Sequence, residues 1–471
     1  MELEILKLGG SILKGQEDFQ RIAGLVETKL EQGILLVCVV SAMKGVTDKI
    51  IAAIGAMRTE AGFNPVTFVE ALYEEHLPAV PASASLKELR LEFDKLKDVL
   101  SYIRSSGELS ESVYAYTVSR GENFTMRILG HHLGERGIAF HCFYGEDLFV
   151  TNENNKDAEV NLEKTKIKVE ENLVPYLGDG KVAVVAGLAG RSEGGLITIF
   201  GRGGTDDTAA CIAYCLGVKR MIKYVDEGGI MSLDPKFVAE LKANKEITAK
   251  VGRIPDPKVI HYLSYVEASE LLREERTKVV HFKVLNPLMK GNIRLQLKSL
   301  GEEEGEGTII GIENGFSGPI GRPKAVSFQR NLYGVRFLPS QSALPTEVYA
   351  RVFEALGKAG VDVRYLSISG YQISLLMVKH DVEIAVRALS GLDFAVEVKP
   401  LEGRKGTFSV VGSEMRGVKG FLSKITGVIA SYGINIEQAT QPNSENIIRF
   451  SVNDDDLPLA VAAVYAEYWK E

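Results

Sequence analysis

Apolar positions along the chain follow two periods. Residues 3–8 and 34–40 are near-continuous apolar runs, the pattern of strands buried on both faces of a parallel sheet. Between them Phe19, Ile22, Ala23, Val26 and Leu30 recur at helical spacing. The first unit is therefore strand, glycine loop, helix, strand. Residues 138–144, 181–187, 196–200 and 220–225 repeat the strand pattern, and 48–106 read as amphipathic helix broken at 78–85. Strands alternate with helices up to about residue 298, which predicts an α/β domain with a mainly parallel sheet.

The pattern changes further on. Residues 301–307 are acidic and glycine-rich, and 313–323 form a second loose stretch, so a linker is expected there. Beyond it, Gly360-Val-Asp-Val and Gly433-Ile-Asn-Ile each follow an amphipathic helix and open a strand. Each is followed by a second strand (372–378 and 447–452) and a short helix containing Ala-Val. This internal repeat reads as tandem copies of a β-α-β-β-α-β, ferredoxin-like unit. The expected organisation is an α/β domain over 1–300, a linker over 301–323, and small α+β units over 324–402 and 403–471.

Length and charge narrow the function. A chain of 471 residues exceeds one ordinary core. A net charge of −7 argues against a protein that holds nucleic acid by general electrostatics. Basic residues that hold an anionic substrate must then be local. The four cysteines, Cys38, Cys142, Cys211 and Cys215, read as reduced thiols of a cytoplasmic protein. Cys211 and Cys215 lack the neighbouring His or Cys that a metal site needs, so no protein-held metal is expected. The charged N-terminus does not read as a signal peptide, and no apolar run reaches membrane-spanning length.

The candidate chemistry gathers at glycine loops that leave strands. Gly201-Arg-Gly-Gly-Thr-Asp-Asp-Thr208 joins a strand to a helix start, the geometry of an anion site. An ordinary tight turn explains that stretch equally well. Lys7 lies near the end of a strand otherwise headed for the core, just before Gly9-Gly10-Ser11, at the strand end where open α/β sheets place ligands. A snorkelling edge lysine is the alternative. Ser41 and Thr47 flank a glycine turn after the second strand and also suit plain capping. Ser119-Arg-Gly121-Glu122 interrupts a helical pattern. Asp226-Glu-Gly-Gly229 leaves another strand and leads to Met231, Asp234-Pro235-Lys236 and, later, Lys258.

Together these segments resemble the aspartate kinases of the amino-acid kinase family. The pieces are Lys7-Leu-Gly-Gly-Ser11, Ser41-Ala-Met-Lys-Gly-Val-Thr47, Ser119-Arg-Gly-Glu122, Gly201-Arg-Gly-Gly-Thr-Asp206, Asp234-Pro-Lys236, Lys258 and Ser264-Tyr-Val-Glu-Ala-Ser-Glu-Leu271. The repeats resemble two ACT domains, the second carrying Val410-Val-Gly-Ser-Glu-Met-Arg416, Gly433-Ile-Asn-Ile-Glu437 and Ser444-Glu445.

The resemblance implies an α/β kinase domain that phosphorylates the β-carboxylate of L-aspartate with ATP and Mg²⁺. It implies that Lys7 meets the transferring phosphate, with Gly9, Gly10 and Ser11 shaping the loop. Arg202 would hold a substrate carboxylate, and Glu122 and Asp206 would face its ammonium. Ser41, Thr47 and Thr205 would complete the hydrogen bonds. The nucleotide would lie along Asp226, Met231 and Lys236, with Lys258 on its phosphates, and Mg²⁺ would sit on phosphates and water. An amino-acid effector at the ACT domains and a homodimer or larger homo-oligomer are further expectations, with no nucleic acid or membrane partner.

The chain departs from the family pattern at Val225, Met231 and Lys236 in the nucleotide loop, and at Ser342 and 366–370 in the first repeat. Two other readings share part of the pattern. One is another amino-acid kinase with a carboxylate substrate, and the other is a catalytically silent ACT-type sensor. At this length no dehydrogenase domain is expected to follow the kinase.

Overall fold

The computed structural model describes all residues except 1, 61, 202, 227, 275–278, 302–304, 313–321, 341–343, 371, 414, 443–445 and 471, and leaves out the side chains of 58, 273, 274 and 416. Contacts divide the chain into two units. The first comprises Met1–Ile230, His261–Tyr265 and Thr277–Ile312; the second comprises Met231–Ile260, Val266–Arg276 and Glu313–Glu471.

The first unit is built on an eight-stranded sheet. Its strands are β1 (Glu2–Leu8), β2 (Ile34–Val40), β3 (Phe140–Phe143), β5 (Val182–Ala186), β8 (Arg220–Val225), β9 (Tyr262–Ser264), β10 (Arg294–Ser299) and β11 (Thr308–Gly311). A smaller sheet is made by β4 (Val150–Thr151), β6 (Ala189–Ser192) and β7 (Ile197–Ile199). The order in the large sheet is β3-β5-β2-β1-β8-β10-β11-β9. Every pairing in it is parallel except β10 with β11. The apolar runs become strands covered on both faces: Leu6, Leu8, Leu36, Cys38, Val40, Val182 and Val184 share one core with Phe19, Ile22 and Val26 of helix Gln16–Glu31, and Ile5, Val37, Val39, Ala183 and Val185 are buried on the opposite face.

β1 lies at the middle. From it the chain crosses through helix Gln16–Glu31 to β2 on one side, and later returns to place β8 on the other. Strand order therefore reverses between β1 and β8. In open α/β sheets the crevice beyond the strand ends at such a switch is the default ligand site. The acidic stretch read as a linker, 301–323, contains β11, which pairs with β10 and β9.

The second unit carries β12 (Pro323–Pro339), β13 (Tyr365–Ser369), β14 (Gln372–Val378), β15 (Ala395–Pro400), β16 (Lys405–Gly412), β17 (Gln438–Thr440) and β18 (Ile447–Asn453). The repeat is nested rather than tandem. The first half of β12 pairs with β16, and β16 continues to β18 and β17. The second half of β12 pairs with β14 and β15, and β14 continues to β13. One unbroken strand thus joins both repeats in a single seven-stranded sheet, and the first repeat sits between the opening strand of the second and its remainder.

Each repeat keeps its own core. Val335, Phe337, Val352, Ile373 and Leu375 fill the inner one. Phe408, Ile425, Phe450 and Tyr465 fill the outer one, joined by Leu233, Phe237, Val238 and Leu241 around helix Pro235–Ala243. All four cysteines are free; Cys142 is half-buried and the others are buried. Among the described residues no helix is long and apolar enough to cross a membrane.

Candidate active site

Lys7 lies one residue before the end of β1 and Lys223 lies in β8, and the two are direct register partners in adjacent parallel strands. Side chains at paired positions of parallel strands leave the same face of the sheet. Helix Gly204–Cys215 presents Asp206 in its first turn. Lys7 Nζ stands 2.8 Å from Asp206 Oδ1, and Lys223 Nζ 2.6 Å from Asp206 Oδ2. The three residues are 5%, 5% and 6% exposed, in the order Lys7, Lys223, Asp206. Sequence reading expected Asp206 to face a substrate ammonium; here both its oxygens lie against lysines.

Burial alone pushes the Asp206 carboxyl up, but the Lys223 and Lys7 ammoniums outweigh it and hold the group at about 2. Burial pulls the Lys223 ammonium down to about 8, with Asp206 opposing the shift and the charge of Lys7 adding to it. The cluster is therefore two cations and one anion in a dry place.

The loops around it are brought close by glycines. A Cβ on Gly10 would stand 2.6 Å from the Ala42 carbonyl oxygen, and one on Gly121 would stand 2.8 Å from Ala42 Cβ. Only residues without a side chain let the turns after β1 and β2 and the helix Arg120–Glu135 meet at Ala42. Gly9 lies beneath the Lys7 ammonium, 3.3 Å from where its Cβ would be. Ser41 is half-buried and donates its backbone N–H to Leu8 O at 3.0 Å; Ser11 is half-buried on the turn after β1, and Thr47 is half-buried in the first turn of helix Val46–Thr59. Thr205 is buried in the first turn of helix Gly204–Cys215.

Glu122 is 3% exposed, and its Oε2 has no hydrogen-bond partner. Burial pushes its carboxyl up to about 8, against backbone hydrogen bonds from Ala42 and from Glu122 itself and the charges of Lys7 and Arg120. The neighbouring Arg120 is committed elsewhere. It donates to Glu146 Oε1 at 2.7 Å and to Tyr116 O at 3.0 Å, and stacks over the Tyr116 ring. Glu122 is thus a buried carboxyl with one oxygen open to a cationic partner. Asp207, one residue beyond Asp206, is also pushed up to about 8 by burial and then by the charge of Asp206.

The other expected site residues divide. Asp226, in the first unit, is exposed and forms an ion pair with Lys14 at 3.6 Å. Met231, Lys236 and Lys258 belong to the second unit, where Met231 is half-buried and both lysines are exposed. There the Ser232 hydroxyl accepts from Lys258 N at 2.9 Å and contacts the Tyr465 hydroxyl at 2.7 Å, which pins the two loops together. Arg202 lies outside the described residues. Lys223 was missed by sequence reading, although it carries the signal that drew attention to Lys7: a lysine inside an apolar strand. Among the described residues no group of three or more His, Cys, Asp or Glu is placed to hold a metal.

Fold and site together define an α/β protein with a buried lysine–aspartate cluster at the switch point of a mainly parallel sheet. Residues 2–299 match the model of the amino acid kinase family, and residues 408–468 match an ACT domain. The chain belongs to the amino acid kinase family.

Among its relatives, the bifunctional aspartokinase/homoserine dehydrogenase of Haemophilus influenzae is 26% identical over 98% of this chain and 56% of that protein. The chloroplastic aspartokinase 1 of Arabidopsis thaliana is 25% identical over 99% of this chain and 80% of that one. The chain therefore spans little more than half of the first relative and most of the second. The E. coli aspartokinase III structure in complex with aspartate and ADP superposes with a TM-score of 0.80, each chain fully covered, at 20% identity.

Proposed function

We propose that the chain is an aspartate kinase, which transfers the γ-phosphoryl group of ATP to the β-carboxylate of L-aspartate and yields 4-phospho-L-aspartate. The observation that carries this reading is the buried lysine–aspartate cluster at the end of β1, beside a glycine turn and an open buried carboxyl. The choice of aspartate among carboxylate substrates is supported by the aspartokinases to which the chain is similar over nearly its whole length.

The acceptor carboxylate is ionised at neutral pH, so the reaction needs no general base. A β-carboxylate oxygen forms the new O–P bond, and the bond to the β-phosphate oxygen breaks, leaving its electron pair there. The work left to the protein is positioning and charge neutralisation. Lys7 supplies an ammonium at the transferring group, and the turn of Gly9, Gly10 and Ser11 lets it approach. Asp206 holds Lys7 in place. Glu122 takes the substrate ammonium on its open oxygen, and Arg202 takes a substrate carboxylate. Ser41, Thr47 and Thr205 complete the polar lining. Asp226, just after β8, serves the nucleotide.

The donor set fits a phosphate group, since it offers buried ammoniums and a turn without side chains. Mg²⁺ would add charge neutralisation from its place on phosphate oxygens and water, the ligands it prefers. The four free thiols support a reducing, cytoplasmic setting. The ACT-type unit supports binding of an amino-acid effector and assembly as a homodimer or larger.

Glu122 gives the reading a pH signature. Its carboxyl titrates near 8 in the free protein, so it is mostly neutral at pH 7. A substrate ammonium needs the charged form. Aspartate KM is expected to fall by up to about tenfold per unit as pH rises towards 8. Glu122→Gln is expected to raise KM at pH 8 by about tenfold or more and to flatten this profile. A Gln variant that keeps the wild-type slope would remove Glu122 from the ammonium site.

The reading as a whole is tested by aspartate-dependent ADP release. Turnover with L-aspartate, and not with L-glutamate or N-acetyl-L-glutamate, is expected. Turnover only with N-acetyl-L-glutamate would assign another kinase of the family. Tight amino-acid binding without turnover would make the chain a sensor.

A further inference from the structure

We propose that Lys223 is a second catalytic lysine, which holds oxygens of the phosphoryl group in transit together with Lys7. The inference deepens the kinase reading and rests on it. Position is the first argument. Lys223 and Lys7 are register partners on β8 and β1, the strands on either side of the switch point, and so share one face of the sheet. Both lie against the same carboxylate, at 2.6 Å and 2.8 Å.

Charge is the second argument. Lys7 alone neutralises Asp206, so a lysine recruited only to satisfy that carboxylate would be superfluous. With Lys223 present, a nearly dry cluster carries two cations for one anion, an arrangement that is unfavourable until another anion joins it. The charged groups facing Lys223 are Asp206 from helix Gly204–Cys215 and Lys7 from β1, while β10 offers Leu297 at the paired position. Glu122 does not supply the missing anion, because burial keeps its carboxyl largely protonated at neutral pH. An incoming phosphoryl group does. Each lysine meets Asp206 through a single oxygen, and an ammonium has three N–H donors.

In the transfer, the new bond joins an acceptor carboxylate oxygen to the γ-phosphorus, and the broken bond leaves its electron pair on the β-phosphate oxygen of ADP. No proton moves. Lys223 stays protonated throughout, donating N–H to oxygens whose charge is shifting. Its ammonium titrates near 8, so its contribution fades as pH rises through that value.

The test compares Lys223→Gln and Lys223→Arg with the wild type in kcat, aspartate KM and the pH profile of kcat/KM for ATP, with thermal melting as the check on folding. The Gln variant is expected to lose about a hundredfold in kcat while aspartate KM stays within about threefold. The wild type is expected to lose kcat/KM for ATP above pH 8, because that ratio follows the groups of the free enzyme. The Arg variant, permanently charged, is expected to recover at least about a tenth of wild-type kcat and to lose the alkaline limb. A Gln variant with kcat within about threefold of wild type would overturn the proposal. If the Gln variant does not fold, an Arg variant with an unchanged alkaline limb near pH 8 would overturn it as well. A wild-type chain with no aspartate-dependent ADP release would instead remove the kinase reading itself.

Discussion

Lys7→Ala is expected to lower kcat by about a hundredfold to a thousandfold while leaving aspartate KM within about threefold. Lys7 lies near the end of the central strand, is almost wholly buried, and stands over Gly9 where a phosphate would arrive. An ammonium held there in advance acts most strongly on charge that develops in flight, because little reorganisation accompanies the step. It contributes little to holding aspartate, whose charges are assigned to Glu122 and Arg202. Steady-state kinetics with each substrate varied separates the two effects. An unchanged kcat with a raised aspartate KM would move Lys7 from the phosphate to the acceptor.

Asp206→Asn is expected to damage both stability and catalysis. Removing the one carboxylate between two buried lysines leaves uncompensated charge, a change that typically costs about 3–5 kcal/mol. Lys223 limits the cost by releasing its proton, since its ammonium is already pulled down to about 8. Linkage gives a second measure. The Asp206 carboxyl falls from 3.8 to about 2 on folding. A depressed carboxyl contributes stability above the unfolded value that disappears as pH drops through the folded one, here about 2 kcal/mol lost between roughly pH 4 and pH 2. Urea unfolding at pH 7 is expected to show the variant's loss. In the wild type the same measurement is expected to show the acid decline, which the variant should lack. A variant as stable as the wild type, with the same acid limb, would contradict the ion cluster.

Most of the first unit's architecture was legible because parallel strands buried on both faces announce themselves as apolar runs. Residues 34–40 are an example: they became β2 with the expected span. Lys7 was legible for the same reason, being the one charged residue near the end of such a run. Lys223 carried a similar signal but lies further from the glycines that follow its strand, and its pairing with Lys7 depends on strand order, which a local pattern does not encode. The helix break at Ser119 was legible; it separates helix Glu111–Val118 from helix Arg120–Glu135.

The nested repeat was not legible. β12 runs unbroken from Pro323 to Pro339, and its change of partner is visible only in register. β11 was hidden because its four residues lie between an acidic run and a glycine-rich one. Asp206 was singled out correctly as a charged residue at a helix start, but its partners depend on how β1, β8 and the helix meet in space.

The central claim is that this cluster serves phosphoryl transfer to a side-chain carboxylate. The most direct measurement is to trap the product with hydroxylamine during turnover with ATP and L-aspartate. The account predicts that β-aspartyl hydroxamate accumulates in step with ADP, and that Lys7→Ala abolishes both together. ADP release with no hydroxamate, or hydroxamate formed at an undiminished rate by the Lys7→Ala protein, would contradict it.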